Sequence, residues 1–341
     1  MKVDAPLPAE LADVADGARS LEAAGFDGVL SVDTAHDPFL PLAVAAGATE
    51  RVDLGTSIAV AFARSPMTIA QQAHDLQRYS RGRFRLGLGS QVKPHIERRF
   101  SMPWSHPAAR MRELILAVRA IWRCWNEGIP LEFRGEFYTH TLMTPFFHPG
   151  PSGFAAPPIL LAAVGEAMSE VAGEVADGII LHGFTTERYV RERTLPAVHR
   201  GLERAGRDRS SFTVVHPGFV VSGRDEKERL RRDAEVRAQL AFYGSTPAYR
   251  PVLALHGWED LAGELNTLSR RGRWEEMAAL VDDEVLEAFA VVAEPGEVAD
   301  RMVGRYGELV DRFQVGSIAG ADPAEWAPVA RRLRDLAAAR A

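Results

Sequence analysis

Five short polar or small-residue runs carry the groups that could do chemistry. The first is Asp33-Thr34-Ala35-His36-Asp37-Pro38. An imidazole between two carboxylates could hydrogen-bond a bound ring or move a proton. The plainer reading makes Asp37 a helix cap and His36 a turn residue. The second run is Gly55-Thr56-Ser57-Ile58-Ala59-Val60-Ala61-Phe62-Ala63-Arg64. Its small residues would let a flat ring approach the backbone, and Phe62 and Arg64 could reach a substrate. The third, Gly87-Leu88-Gly89-Ser90-Gln91-Val92-Lys93-Pro94-His95, places glycines before a possible helix start, where backbone N–H groups can meet an anion. Lys93, His95, Arg98 and Arg99 add positive charge there, or form a solvated helix face. The fourth set is aromatic. Trp104, Tyr138, Phe146 and Phe147 could wall an apolar pocket or pack beneath a long loop. The fifth, Ala162-Ala163-Val164-Gly165-Glu166-Ala167-Met168, again offers open backbone, with Met168 as readily core as contact.

Other chemistries lack their residues. There is no His-Glu-x-x-His, no Gly-x-x-x-x-Gly-Lys-Ser/Thr and no Gly-x-Ser-x-Gly. The histidines show no metal-ligand spacing, so no metal is expected. The lone Cys124 excludes an internal disulfide and sits between Trp122 and Trp125, where packing explains it.

These runs fall at regular places in an alternation of strands and helices. Lys2–Leu7 reads as a first strand. Leu11, Val14, Ala15, Ala18 and Leu21 then mark one helical face, with Gly25 at the C-cap. Strands follow at Val29–Val32, Val52–Ile58, Arg83–Leu88, Ile159–Ala163, Gly178–Leu181, Phe212–Val221 and Phe313–Ser317. Helices are expected at Phe39–Ala48, from Ser65-Pro66 to Tyr79, Ala108–Asn126, Glu166–Ala176, around Pro196, Glu226–Leu240, Pro295–Tyr306 and Trp326–Leu336. Two excursions break the rhythm: 128–158, with a possible hairpin around Phe133–Phe137, and 243–283, with helical content.

Eight strand–helix units predict an α/β fold, a (β/α)₈ TIM barrel over 1–341 with insertions after strands four and seven. An open doubly wound sheet is the competing architecture. No Gly-x-Gly-x-x-Gly follows strand one, which counts against its dinucleotide-binding form. In a barrel, functional groups belong at the C-terminal strand ends, where the five runs lie.

The chain has 341 residues, 46% of them hydrophobic, enough for a sizeable core. Its net charge of -6 gives no electrostatic reason to bind nucleic acid or an anionic membrane. No stretch approaches the ~20 apolar residues of a membrane span, and the start has no apolar signal-peptide core. A cytoplasmic location is expected.

Nearly the whole chain resembles the luciferase-like flavin-dependent oxidoreductases, and within them the actinobacterial branch that uses the deazaflavin coenzyme F420. The resemblance rests on Ala23-Ala24-Gly25-Phe26-Asp27-Gly28, Thr49-Glu50-Arg51-Val52-Asp53-Leu54-Gly55-Thr56, Ser80-Arg81-Gly82-Arg83-Phe84-Arg85-Leu86-Gly87-Leu88-Gly89-Ser90 and Ala172-Gly173-Glu174-Val175-Ala176-Asp177-Gly178, in that order and spacing. The run Ser90–His95 is similar to a narrower subgroup of unsettled substrate.

The resemblance implies roles. Thr56, Ser57 and Ile58 would form a bulge beneath a tricyclic ring, with a non-proline cis peptide at Ser57–Ile58. Ala162, Ala163, Val164, Gly165 and Met168 would line the ring and ribityl chain. Gly89, Ser90, Gln91 and Val92 would flank the cleft, with Lys93 and His95 towards the cofactor's charged tail. His36 or Asp33 would stand near the reacting face. From their place in the mouth loops, Phe62, Arg64, Trp104, Tyr138 and Phe146 are expected to face the substrate. Two departures matter. Related deazaflavin dehydrogenases often carry adjacent Asp-His after strand two, whereas Thr34-Ala35 separates the pair here. Gln91-Val92 also replaces an acidic group. The expected activity is hydride transfer between coenzyme F420 and an organic substrate, in a homodimer. An FMN-dependent monooxygenase and a non-catalytic cofactor-binding barrel are the alternatives.

Overall fold

A computed structural model describes residues 1–316 and 322–339. Short apolar runs bounded by turn residues form the barrel strands: β1 (Lys2–Pro6), β2 (Gly28–Ser31), β3 (Asp53–Thr56), β4 (Phe84–Gly89), β5 (Ile159–Ala163), β6 (Gly178–Leu181), β7 (Thr213–Pro217) and β8 (Arg312–Gln314). Each pairs in parallel with the next, and β8 returns to β1 through Lys2↔Arg312 and Val3↔Phe313. The sheet is therefore a closed (β/α)₈ barrel, as the alternation predicts. Val, Leu and Ile facing outward pack on the surrounding helices in one continuous core.

Local signals place most helices. Gly25 ends the first at φ 88°, a conformation that suits glycine. Ser65 accepts the Thr68 N–H at 3.1 Å and Pro66 opens the helix Pro66–Tyr79. The helix Pro107–Glu127 buries Met111, Leu114, Ile115, Val118, Ile121, Trp122, Cys124 and Trp125.

Several boundaries differ from the sequence expectation. Strand three breaks after Thr56 and resumes at Ala59–Val60, which pairs with Leu88 and Gly89. Strand seven does not run from Phe212 to Val221. It leaves the barrel at Pro217, whose ring has no N–H for a ladder bond. Phe219–Val221 then pairs in parallel with Ala290–Val292 in a separate two-stranded sheet. Strand eight starts at Arg312, and the expected Ser317 end lies outside the described residues. Around Pro196 the helix widens into a π turn over Val190–Thr194 before Leu195–Arg204. A proline there lacks its N–H and crowds the preceding turn.

Both excursions are ordered. The first contains the antiparallel pair Phe133–Arg134 and Thr139–His140. Its turn is tied to the helix Pro107–Glu127 by Glu113, whose carboxylate accepts the N–H groups of Glu136, Phe137 and Tyr138 at 2.6–2.8 Å. The second is helical, with Arg250–Ala254, Glu259–Arg270 and Trp274–Ala279. With Phe184, Tyr189 and Phe289 it builds its own core cluster.

The end of the barrel where the strands begin is plugged by charge. Asp4 has no exposed surface. Arg312 bonds it through two nitrogens, Nε at 2.9 Å, and Arg85 Nη2 donates at 3.2 Å. Asp53 adds a second carboxylate, 3.0 Å from Arg312. Gly28 makes room, since a Cβ there would lie 2.4 Å from the Asp4 carboxylate. Burial pushes the Asp4 carboxyl up, but Arg85 and Arg312 outweigh it and hold the group below its ordinary range.

Candidate functional site

Strand side chains alternate, so the axis-facing residues can be read in layers. Leu160, Ile180 and Val215 form a small inner cluster, with Ile58 and Ala162 packed on it. Two glycines of β4 stand against it. A Cβ on Gly87 would lie 1.9 Å from the Thr56 carbonyl oxygen, and one on Gly89 2.8 Å from Ile58 and 3.6 Å from Ala162. Glycine at these positions lets the Thr56 backbone and the Ile58 side chain pack directly on β4.

The Ser57–Ile58 peptide is cis, as the resemblance implies. Its surroundings are tightly bonded. Ser57 N donates to Ser31 O at 2.8 Å, and Asp33 N to Ile58 O at 3.2 Å. The Ser57 hydroxyl meets Gln314 Oε1 at 3.0 Å. Where the β3–β4 ladder opens, the Thr56 hydroxyl spans the gap. It donates to Gly87 O at 2.7 Å and accepts from Gly87 N at 2.9 Å.

The strand-two loop separates its ionisable groups. Asp33 is buried and occupied: Oδ2 accepts from Val60 N at 2.9 Å and from Arg64 Nη1 at 2.5 Å. Arg64 also reaches Asp37 at 3.1 Å and lies over the Phe39 ring. Asp37 in turn accepts the N–H groups of Phe39 and Leu40, the capping role expected of it. His36 is exposed and free of these bonds.

After β4, Gln91 adopts φ 60°, and its side-chain oxygen accepts the Val92 N–H at 3.0 Å. The Ser90 hydroxyl bonds the Gln91 carbonyl at 3.1 Å. The helix that follows is short, Lys93–Arg98. Lys93, His95, Arg98 and Arg99 are all exposed. Lys93 stands 3.7 Å from Glu97, and Arg99 bonds the Thr34 carbonyl. Beyond β5, Gly165 is exposed with open space where a Cβ would be, and Val164 packs on the insertion core. Ala163 is buried and Met168 half-buried, both in the main core.

The aromatic set divides. Trp104 meets Phe62 edge-on at 5.6 Å, and Arg110 lies within 6 Å of Phe62, Phe137 and Tyr138. Burial pushes the Tyr138 phenol up, against the nearby Arg110 charge. Phe146 and Phe147 are not part of this group. They are 90% and 69% exposed. The neighbouring His148 bonds the Cys124 carbonyl, near the end of the helix remote from Trp104.

The end of β6 holds a group outside the five sequence runs. His182 follows Leu181 directly, on the face shared with Ile180. Its Nδ1 accepts the Phe184 N–H at 2.9 Å, and Nε2 lies 3.3 Å from the Tyr249 hydroxyl. Tyr243 stands edge-on to the imidazole at 4.7 Å. Burial alone pushes His182 down to about 4, so it is neutral at physiological pH. The available signal was its place: a histidine at the C-terminal end of a barrel strand. Tyr243 and Tyr249 gave none, because they come from the excursion.

A profile of the luciferase-like monooxygenase family matches residues 2–312. An uncharacterized protein of Mycobacterium tuberculosis is 53% identical over 312 residues, covering 92% of each chain. The F420-dependent glucose-6-phosphate dehydrogenase of Nakamurella multipartita is 30% identical over 330 residues, covering 89% of this chain and 91% of its own. Among solved structures, the coenzyme F420-dependent tetrahydromethanopterin reductase of Methanopyrus kandleri shares the fold. Its TM-score is 0.78 at 20% identity, with 98% of each chain covered.

Proposed function

The chain belongs to the luciferase-like monooxygenase family, and on that premise we propose an oxidoreductase that transfers a hydride between coenzyme F420 and an organic substrate. The observation that carries this reading is the likeness, over 89% of this chain, to the F420-dependent glucose-6-phosphate dehydrogenase of Nakamurella multipartita. At the mouth, Gly89 gives its space to the Ile58 side chain, which would be the floor beneath a flat tricycle. When bound, the deazaflavin supplies a ring carbon that carries a hydride, chemistry that favours two-electron transfer over oxygen activation.

The chain's own residues would orient and enclose that group. Thr56 fixes the strand break beneath the ring position. Ala163, Val164, Gly165 and Met168 would line the ribityl side, and Ser90, Gln91 and Val92 the opposite edge. Lys93, His95 and Arg98 offer positive charge to an anionic tail. Arg64 neutralises Asp33, which makes that carboxylate a positioning group for the Ala59–Val60 turn. His36 then remains the open ionisable group of its loop. Phe62, Trp104 and Tyr138 would form an apolar wall for the substrate.

The same reading makes the enzyme a cytoplasmic homodimer. Among the described residues, no helix is long and apolar enough to cross a membrane. Leu40 and Tyr79 stand exposed beside Phe39, Ala43 and Leu76, an apolar groove a second copy would cover. Light scattering should give twice the 37.4 kDa chain mass; a mass of one chain would contradict the dimer.

Anaerobic turnover tests the assignment. Reduced coenzyme F420 should be oxidised by substrate in the absence of oxygen. Product formation that requires oxygen and reduced FMN would replace this reading with a monooxygenase.

A further inference from the structure

The end of β6 carries a polar pair that the cofactor reading leaves unused. The pair is His182 and Tyr249, with Tyr243 and Phe184 beside it. Tyr249 lies over the His182 imidazole at 4.6 Å between ring centres, and Tyr243 meets it edge-on. Phe184 lies 5.9 Å from Tyr249 and stacks on Phe289 at 4.4 Å. The insertion is fastened here a second time, by Thr186 Oγ1 and His256 Nε2 at 2.8 Å, with His256 stacked on Trp258. The geometry is thus held from both sides.

The hydrogen bonds fix a direction. The Phe184 N–H occupies His182 Nδ1 as an acceptor, so the neutral ring carries its proton on Nε2. That N–H donates to the Tyr249 oxygen. Among the described residues, the Tyr249 hydroxyl has no other hydrogen-bond partner, so its own proton is free for a third group. Burial is the sole cause of the His182 shift, and among the described residues neither His182 nor Tyr249 forms an ion pair. Burial, with Tyr243 nearby, pushes Tyr249 up to about 12, so the phenol keeps its proton at neutral pH.

We propose that Tyr249, oriented by His182, is the acid that serves the substrate oxygen, and that the substrate presents an uncharged carbonyl or hydroxyl group there. This rests on the hydride-transfer reading of the same mouth. The balance is simple. In the reductive direction the carbonyl carbon accepts a hydride from the reduced deazaflavin, forming a C–H bond. The carbonyl π bond opens, and its oxygen takes the Tyr249 proton. The phenolate left behind is stabilised by the His182 Nε2–H and regains a proton from solvent. The substrate is reduced by two electrons and the cofactor oxidised by two. Alcohol oxidation runs the same steps backwards. His36 follows β2, across the closed barrel from β6, and makes no bond to this pair.

The test uses the holoenzyme with cyclohexanone, acetone and benzaldehyde as probes, following oxidation of reduced F420 anaerobically. At least one should turn over. Tyr249→Phe should lower kcat about 100-fold or more, the usual scale for losing a general acid, with a smaller rise in KM and the F420 dissociation constant unchanged. His182→Gln, which keeps an N–H at that reach, should retain more activity than His182→Leu. Independently of turnover, infrared difference spectra of cyclohexanone bound to the oxidised holoenzyme should show a lowered C=O band, and Tyr249→Phe should abolish the lowering. Wild-type kcat and an unshifted band difference in Tyr249→Phe would overturn the proposal. So would a loss confined to His36→Ala, or no turnover of any probe by enzyme that binds F420. Failure of the wild type to bind F420 at all would instead remove the cofactor reading beneath it.

Discussion

The two ends of the barrel handle polarity in opposite ways. Where the strands begin, Asp4, Asp53, Arg85 and Arg312 form a closed ion network inside the barrel. Where they end, the axis-facing positions are Gly89, Ala162 and a cis peptide, with a neutral His182–Tyr249 pair to one side. Charge satisfied by charge fills space and fixes registry. An uncharged end with an imidazole and a phenol offers hydrogen-bonding groups to a ligand. The contrast matches the division known for barrels of this type, in which stability resides at one end and the proposed binding at the other.

The largest effect should come from breaking the plug. Asp4→Ala leaves two guanidinium groups with Asp53 as their remaining carboxylate, and removing one partner of a buried pair costs about 3–5 kcal/mol. Denaturant unfolding should show that loss, while the fraction still folded binds cofactor normally. A variant as stable as the wild type would show that the plug holds nothing.

Next in size is an acid effect. His216 is fully buried against Tyr306, and burial, aided by Arg305, pushes it down to about 3. His182 sits at about 4. An unfolded histidine titrates near 6.5. From about pH 6.5 down towards 3 the unfolded chain therefore binds more protons than the fold, and stability falls as pH drops. Above that window the two histidines contribute no slope. His216→Phe should flatten the fall, read as Tm against pH, and an unchanged slope would locate the acid lability elsewhere.

The smallest effect concerns the exposed rim. Lys93→Glu should weaken F420 binding about tenfold, on the scale of one charge-assisted contact, and reduce its salt dependence without changing Tm. An unchanged dissociation constant would return Lys93 to its partner Glu97 as a solvated pair.

Much of this was legible in the sequence, for identifiable reasons. Helical faces such as Met111–Trp125 announce themselves through spacing, and Ser65-Pro66 through cap chemistry. The closed barrel followed from counting units. The failures share a cause: they depend on contacts distant in sequence. Phe212–Val221 reads as one strand because nothing local shows that Ala290–Val292 will draw its second half away. Asp33 looks like a free carboxylate until Arg64 folds back on it. Phe146 looked like a neighbour of Tyr138, but Glu113 and His148 anchor their segments to different parts of one helix. His182 was within reach of the same reasoning that singled out His36. Its partners, from an excursion with no strand rhythm, were not.

A mouth that takes a deazaflavin with a long anionic tail should discriminate between cofactors. Titration of the purified protein with coenzyme F420 and with FMN at matched ionic strength, read by tryptophan fluorescence, measures this. F420 should bind more tightly, with a preference that shrinks as salt rises, because the tail rather than the ring distinguishes the two. Tighter binding of FMN, insensitive to salt, would contradict it.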